Sequence, residues 1–437
     1  MNNQPKIIVL DDDPTGSQTV HSCLLLMSWE VEILKQGLQD EAPIFFVLTN
    51  TRAMSPDRAA AVTREVCRNL KIALQETHTQ DFLIVSRSDS TLRGHYPIET
   101  DGIAEELGPF DAHFLTPAFF EGGRVTKDSI HYVVSHGQAT PAHETEFAKD
   151  SVFAYSHSYL PDYVEEKTAG AIAAEQVQRL LLKDLQAGCQ NKLASFTDNV
   201  CVAVDAETQG DLDRFAQDVL AQASQGKKFL FRSAASLLTS LAALGAQPIA
   251  AEEMAKYKLS DRPGVVLVGS HVQKTTEQLQ ELLQEKNVVG IEVNVPYLRD
   301  QPENKDILKQ EIISQVNQTF AIGKTPVIYT SRGELAFDDI QERLDFGVTV
   351  STFLMDLVHN LPQDLGFLIS KGGITSNDVL STGLSLKSVR LIGQIIPGCS
   401  VVRTEPTHPL FPNLPVVLFP GNVGDRDGLL TAYRRLS

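Results

Sequence analysis

Short, uniformly apolar runs recur along the first part of the chain, at Lys6–Leu10, Ile44–Leu48, Phe82–Val85 and Ala112–Leu115. Runs of four or five apolar residues are too short for a helix and apolar on both faces. They predict strands covered on both sides, the burial of a parallel sheet. The sequence between them has helical spacing: Pro56 stands at the first helical position behind Ser55, and Val62, Val66, Leu70 and Ala73 share one face. This alternation predicts βαβ units.

From about residue 117 to Glu166 the pattern gives way to polar sequence, expected to line or cover a site. It resumes with an expected helix near Ala169–Gln186 and a strand at Val200–Val204. Glycine, proline and mixed charge between Ala246 and Arg262 then mark a boundary. The expected domains are residues 1–245 and 263–437, joined by a linker over 246–262. In the second, strands are expected at Val265–Val268, Ile291–Val295, Val327–Tyr329, Phe367–Ile369 and Val416–Phe419. The fold class that follows is α/β, with two α/β domains, each a mostly parallel sheet flanked by helices, and an active site in the cleft between them. A length of 437 residues agrees, being more than one hydrophobic core normally organises.

Composition narrows the function by exclusion. A net charge of -17 and a pI near 5.1 disfavour nucleic acid and anionic lipid as partners. No apolar run approaches the roughly 20 residues of a membrane helix, and the N-terminal segment lacks the design of a signal peptide. Cys23, Cys67, Cys189, Cys201 and Cys399 form no CxxC pair. The expectation is a cytoplasmic protein with reduced thiols.

The chemistry concentrates at strand ends, where open α/β sheets bind ligands. Asp11, Asp12, Asp13, Pro14, Thr15 and Gly16 follow the first strand, and carboxylates there can orient a hydroxyl or take its proton; capping of the next helix is the plain alternative. Asn50, Thr51 and Arg52 follow the second strand, and the stretch Ser86 to His95 follows the third. Arg52, Arg87 and Arg93 supply the guanidinium groups with which an acidic protein could hold a carboxylate. Thr116 to Arg124 adds a glycine-bearing loop, expected as a cover for the same pocket. In the second domain three strand-to-helix junctions carry glycines or hydroxyls suited to phosphate: Gly269 and Ser270; Lys371, Gly372, Gly373, Ile374 and Thr375; Gly421, Asn422, Val423 and Gly424. Gly323, Lys324 and Thr325 end like a P-loop, but position 318 is Gln318, so the motif is incomplete. No GxGxxG follows the first strand, and the histidines show no HExxH spacing.

Taken together, these motifs resemble those of the four-carbon acid sugar kinases over nearly the whole chain. Asp12 to Gly16 resembles the family's DDxTG, and Asp89, Ser90, Thr91, Leu92, Arg93 and Gly94 its DSTLRG signature, the most specific match. Gly269 with Ser270, Gly372 with Gly373, and Gly421 to Gly424 resemble its ATP-contacting segments. The resemblance implies a kinase that transfers phosphate from ATP, with Mg²⁺, to the 4-hydroxyl of threonate, erythronate or 3-oxo-tetronate. Its first domain would hold the sugar acid and its second ATP. Arg87, His95 and Ile374 depart from residues common in the family.

On this reading Asp12 or Asp13 orients or deprotonates the hydroxyl, and Arg52 and Arg93 hold the carboxylate. Arg87, Asp89, Ser90, Thr91 and Gly94 complete the sugar-acid site. Ser270, Gly372, Gly373, Ile374, Thr375, Gly421 and Asn422 cradle the nucleotide. No protein metal ligands are assigned. A homodimer is an admissible assembly. The competing readings are an NAD-dependent sugar-acid dehydrogenase and a sugar-acid sensor without turnover.

Overall fold

The computed structural model describes residues 4–14, 16–135, 137–333, 335–337 and 340–437, so Thr15 of the first motif lies outside the described residues. The chain divides into two compact units, residues 1–246 and 247–437.

The first unit holds a parallel sheet. Its strands are β1 (Lys6–Asp11), β2 (Leu24–Leu26), β3 (Ile44–Leu48), β4 (Phe82–Arg87), β5 (Ala112–Thr116), β9 (Gln178–Leu180), β10 (Val200–Val204) and β11 (Phe229–Ser233), in the order β2-β3-β1-β4-β11-β5-β10-β9. Every neighbouring pair runs parallel. The four strands expected in the first part of the chain are present, and Ile7, Ile8, Val9, Phe45 and Ile84 are wholly buried, as cover on both faces requires. The helix Pro56–Glu76 starts where expected, with the Ser55 side chain accepting from the Arg58 amide, and it buries Val62, Val66, Leu70 and Ala73 against the sheet core. Strands β2 and β9 have three residues each, too few to leave a periodic signal.

Within the polar stretch 117–166, β6 (Arg124–Lys127), β7 (Ile130–Ser135) and β8 (Gln138–Pro141) form a separate antiparallel sheet. The segment Ala169–Gln186, expected as a helix, is not one helix. Ala169 and Gly170 take φ of 50° and 81°, which ends the helix Leu160–Lys167, and a turn, β9 and the short helix Leu182–Ala187 follow.

The second unit has strands β12 (Val265–Val268), β13 (Val288–Val293), β14 (Thr325–Thr330), β15 (Leu368–Lys371), β16 (Ser388–Ile396), β17 (Cys399–Arg403) and β18 (Pro415–Phe419), in the order β13-β14-β12-β15-β18-β17-β16. The pairs from β13 to β18 are parallel, while β17 pairs antiparallel with both its neighbours. Strand β13 ends two residues before the expected Val295, because Asn294 caps a new helix there by accepting from the Tyr297 amide at 3.0 Å. The segment expected as a linker is packed into this unit: Ala251–Tyr257 is a 3₁₀ turn whose Met254 is wholly buried in the core with Ile392 and Tyr433. Among the described residues no helix is long and apolar enough to cross a membrane.

Candidate functional site

Strands β3, β1, β4 and β11 are consecutive in the first sheet, so their carboxyl ends deliver polar residues to one edge. Asp12 follows β1 and is 1% exposed; it accepts from Arg52 Nη2 at 2.5 Å, Arg52 Nε at 3.1 Å and Ser88 Oγ at 2.7 Å. That side-on fork fixes the carboxylate in place. Arg52 Nη1 also lies 3.4 Å from Asp13 and 3.8 Å from Asp89, so one guanidinium joins three carboxylates. Asp13 keeps 24% of its side chain exposed.

Arg87 does not reach outward. It is 5% exposed and its Nη1 donates to Asp11 at 3.2 Å, directly across the β1–β4 register. Burial pushes the Asp11 carboxyl up to about 7 against the pull of Arg87, and Asp12 and Asp13 add to the rise. Burial also acts to raise Asp89, but Arg52 and Arg93 outweigh it and hold that carboxyl below the usual range. Asp89 further accepts from Arg93 Nε at 2.9 Å and from the Thr91 hydroxyl. The Ser90 carbonyl accepts from the ring of His131 at 2.8 Å.

Gly94 is required here. Its φ is +124°, and a Cβ would fall 2.3 Å from Ser88 Oγ and 2.6 Å from Arg232 Nη2. His95 turns away from the edge, with its Nε2 3.1 Å from the carbonyls of Thr51 and Met54, and so ties down the Arg52 loop.

The structure adds residues that the motifs did not single out. Arg232, within β11, reaches Ser86 at 2.7 Å, Ser88 at 2.8 Å and Glu99 at 2.5 Å, and Thr51 donates to Glu99 at 2.5 Å. Glu99 stands at the spacing of Ile103 and Leu107 on the buried face of its helix; a charge among apolar positions is the signal that could have revealed it. Arg124, at the start of β6, shares the ring of Phe147 with Arg93, the two guanidiniums lying 5.6 and 5.3 Å from its centroid. Arg93 also meets Asp150 at 3.4 Å, whereas the Nε of Arg124 is buried without a hydrogen-bond partner among the described residues.

In the second unit the three glycine-bearing junctions converge on Ser270. A Cβ on Gly372 would lie 3.1 Å from Ser270 Cβ and 2.9 Å from Thr375 Oγ1, and one on Gly421 would lie 3.2 Å from Ser270 Oγ. Thr275 Oγ1 lies within hydrogen-bond distance of both Ser270 Oγ, at 3.3 Å, and the Gly421 carbonyl, at 3.1 Å. Lys371 is wholly buried, donates to the carbonyls of Pro420 and Gly421 at 2.6 and 3.2 Å, and sits 4.1 Å from the Phe419 ring centroid; burial lowers its ammonium to about 7. It fixes the loop from beneath. Arg332, two residues beyond β14, donates to the Ser270 carbonyl at 2.6 Å. Ile374 and Asn422 are exposed at the same junctions.

The two glycines of the β15 junction differ. Gly372 has φ of +126°, whereas nothing lies within 4 Å of where a Cβ on Gly373 would be. Gly372→Ala is therefore expected to destabilise the protein by about 1–2 kcal/mol or more, while Gly373→Ala leaves stability near wild type, as denaturant unfolding of the two variants checks.

Among the described residues no group of three or more His, Cys, Asp or Glu side chains is arranged to hold a metal ion.

Comparison with known proteins adds to this geometry. A family model described as a sugar-binding N-terminal domain matches residues 7–241, and one described as a nucleotide-binding C-terminal domain matches residues 265–429. A D-erythronate kinase of Heliobacterium modesticaldum is 26% identical over 220 residues, 48% of this chain and 47% of that protein. A D-threonate kinase of Bordetella bronchiseptica is 26% identical over 223 residues, 49% of this chain and 50% of that protein. The chain thus spans about half the length of the curated relatives it matches. A solved structure from Salmonella typhimurium LT2 shares the fold at a TM-score of 0.74 and 21% identity, covering 98% of this chain and 99% of that one. Haemophilus influenzae protein HI1011, of family DUF1537, does so at a TM-score of 0.65 and 17% identity, covering 98% and 100%. Because the sugar-binding model alone takes in more than half of the sequence and the nucleotide-binding model follows it in the second unit, the chain belongs to the four-carbon acid sugar kinase family.

Proposed function

We propose that the protein is an ATP-dependent kinase that phosphorylates the terminal (4-) hydroxyl of a four-carbon sugar acid such as 3-oxo-tetronate, threonate or erythronate. One observation carries the reading: a continuous chain of contacts runs from Asp13 through Arg52, Asp89 and Arg93 to the Phe147 ring shared with Arg124. It sets a partly open carboxylate at one end and two guanidiniums at the other. A small molecule with a hydroxyl at one end and a carboxylate at the other matches that polarity. The relatives named as erythronate and threonate kinases support the same substrate class.

In this mechanism Arg93 and Arg124 hold the substrate carboxylate, and the buried, unpartnered Nε of Arg124 gains an acceptor. Asp13 accepts the proton of the 4-hydroxyl as its oxygen attacks the γ-phosphorus. The bond from that phosphorus to the β,γ-bridging oxygen breaks and ADP leaves. Arg52 and Arg87 hold Asp12 and Asp11 and act as positioning residues, in place of the direct substrate contacts expected from sequence.

The donor site is read at Ser270, Gly372, Gly373, Ile374, Thr375, Gly421 and Asn422. The open space beside Gly373 and the positive φ of Gly372 suit close approach of phosphates to the main chain. Mg²⁺ enters as MgATP, held by phosphate oxygens. We take the compartment to be the cytoplasm, where ATP is supplied.

A coupled assay of ADP release across four-carbon acids tests the proposal. Release is expected to require both Mg²⁺ and a four-carbon sugar acid. Turnover with NAD and none with ATP is the result that sinks it.

A further inference from the structure

We infer that Arg332 contacts the phosphate chain of the nucleoside triphosphate, a role that rests on the donor-site reading above. Strands β14 and β12 are neighbours, so Arg332, just beyond the end of β14, lies beside Gly269 and Ser270, just beyond the end of β12. One nitrogen of its guanidinium is committed: Nη2 donates to the Ser270 carbonyl at 2.6 Å and to Thr330 Oγ1 at 3.3 Å, and Thr330 Oγ1 in turn donates to the Gly269 carbonyl at 3.3 Å. The other two nitrogens, Nε and Nη1, are buried and have no hydrogen-bond partner among the described residues.

Leaving guanidinium N–H donors buried and unmatched is costly, and native structures do so where an acceptor is supplied from elsewhere or a site is built for one. Burial lowers the pKa of this guanidinium; Glu292 opposes that by charge, but among the described residues no carboxylate hydrogen-bonds Nε or Nη1. The same Ser270 that anchors Arg332 is the point on which the Gly372 and Gly421 junctions converge. A cation with spare donors, fixed where glycine-bearing loops meet, calls for an anion with several acceptor oxygens. Phosphate fits, because guanidinium pairs with it through two parallel hydrogen bonds. Lys371 is less suited to this role, being wholly buried with two of its three donors directed to the Pro420 and Gly421 carbonyls.

The alternative is that Arg332 only buttresses the Ser270 loop. Calorimetry on the full chain with adenosine, AMP, ADP and ATP in the presence of Mg²⁺ separates the two for wild type, Arg332→Gln and Arg332→Lys. Loss of charge-assisted hydrogen bonds is expected to weaken ATP binding about 10- to 100-fold in Arg332→Gln, with the loss growing along the series and adenosine unaffected. Arg332→Lys should recover part of the ATP affinity by keeping the charge. An equal loss for adenosine and ATP, or unchanged ATP affinity in Arg332→Gln, overturns the inference and leaves Arg332 a buttress. Failure of wild type to bind MgATP is a different result: it removes the donor-site reading itself, without recourse to any variant.

Discussion

Asp13→Asn is expected to keep the melting temperature of wild type and lower kcat by roughly 10²- to 10⁴-fold, the contribution of a positioned general base. Asp12→Asn is expected to behave differently. Asp12 is 1% exposed and its carboxylate is occupied by both nitrogens of the Arg52 fork and by Ser88. Removing its charge takes the nearest carboxylate from Arg52, which is 20% exposed and keeps Asp13 and Asp89, so a loss of stability below the about 3–5 kcal/mol of a fully stranded buried charge is expected beside any loss of turnover. Asp13 is less enclosed: 24% of its side chain is exposed and Arg52 Nη1 lies 3.4 Å from it. If these aspartates were only helix caps, either loss would cost about 1 kcal/mol and turnover would survive. Melting temperature and kcat measured on both variants decide the matter, and near-normal kcat in Asp13→Asn would mean that the proton goes elsewhere. Asp89 is a poorer base, because Arg52 and Arg93 hold its carboxyl low.

The second large effect is expected at Glu99 and Arg232. Their 2.5 Å contact is buried, with side-chain exposures of 6% and 9%, and it carries the Ser88 hydroxyl on which Asp12 depends. Glu99→Leu or Arg232→Met alone strands a buried charge and should cost about 3–5 kcal/mol. The double variant removes both charges and is expected to regain most of that stability, since a packed apolar pair can replace a buried ion pair. Turnover should not return with it, because Ser88 has lost the guanidinium that orients it. Equilibrium unfolding and kcat on the three variants test this. A double variant with restored turnover would show that Arg232 serves stability alone.

The sequence carried the parts of this protein that are local. Each buried strand of the first unit up to β5, β2 aside, announced itself as an apolar run, and Ser55 with Pro56 marked a helix start, because burial on both faces and capping act over a few residues. The polar residues after those runs were legible for the same reason, as were the glycine junctions of the second unit. What the chain could not show is which of these groups meet. Strand β11 inserts between β4 and β5, although it follows β10 in sequence. That insertion brings Arg232 to Glu99, 133 positions away, and makes Ser88 and Asp12 one network. The same geometry turns Arg87 inward to Asp11 and leaves Asp13 more exposed than Asp11 or Asp12. In the second unit only the pairing of β12 with β14 sets Arg332 beside Ser270. Hydrophobic pattern and capping are read along the chain, whereas the pairing of charges depends on strand order and register, which are settled by packing between residues far apart in sequence.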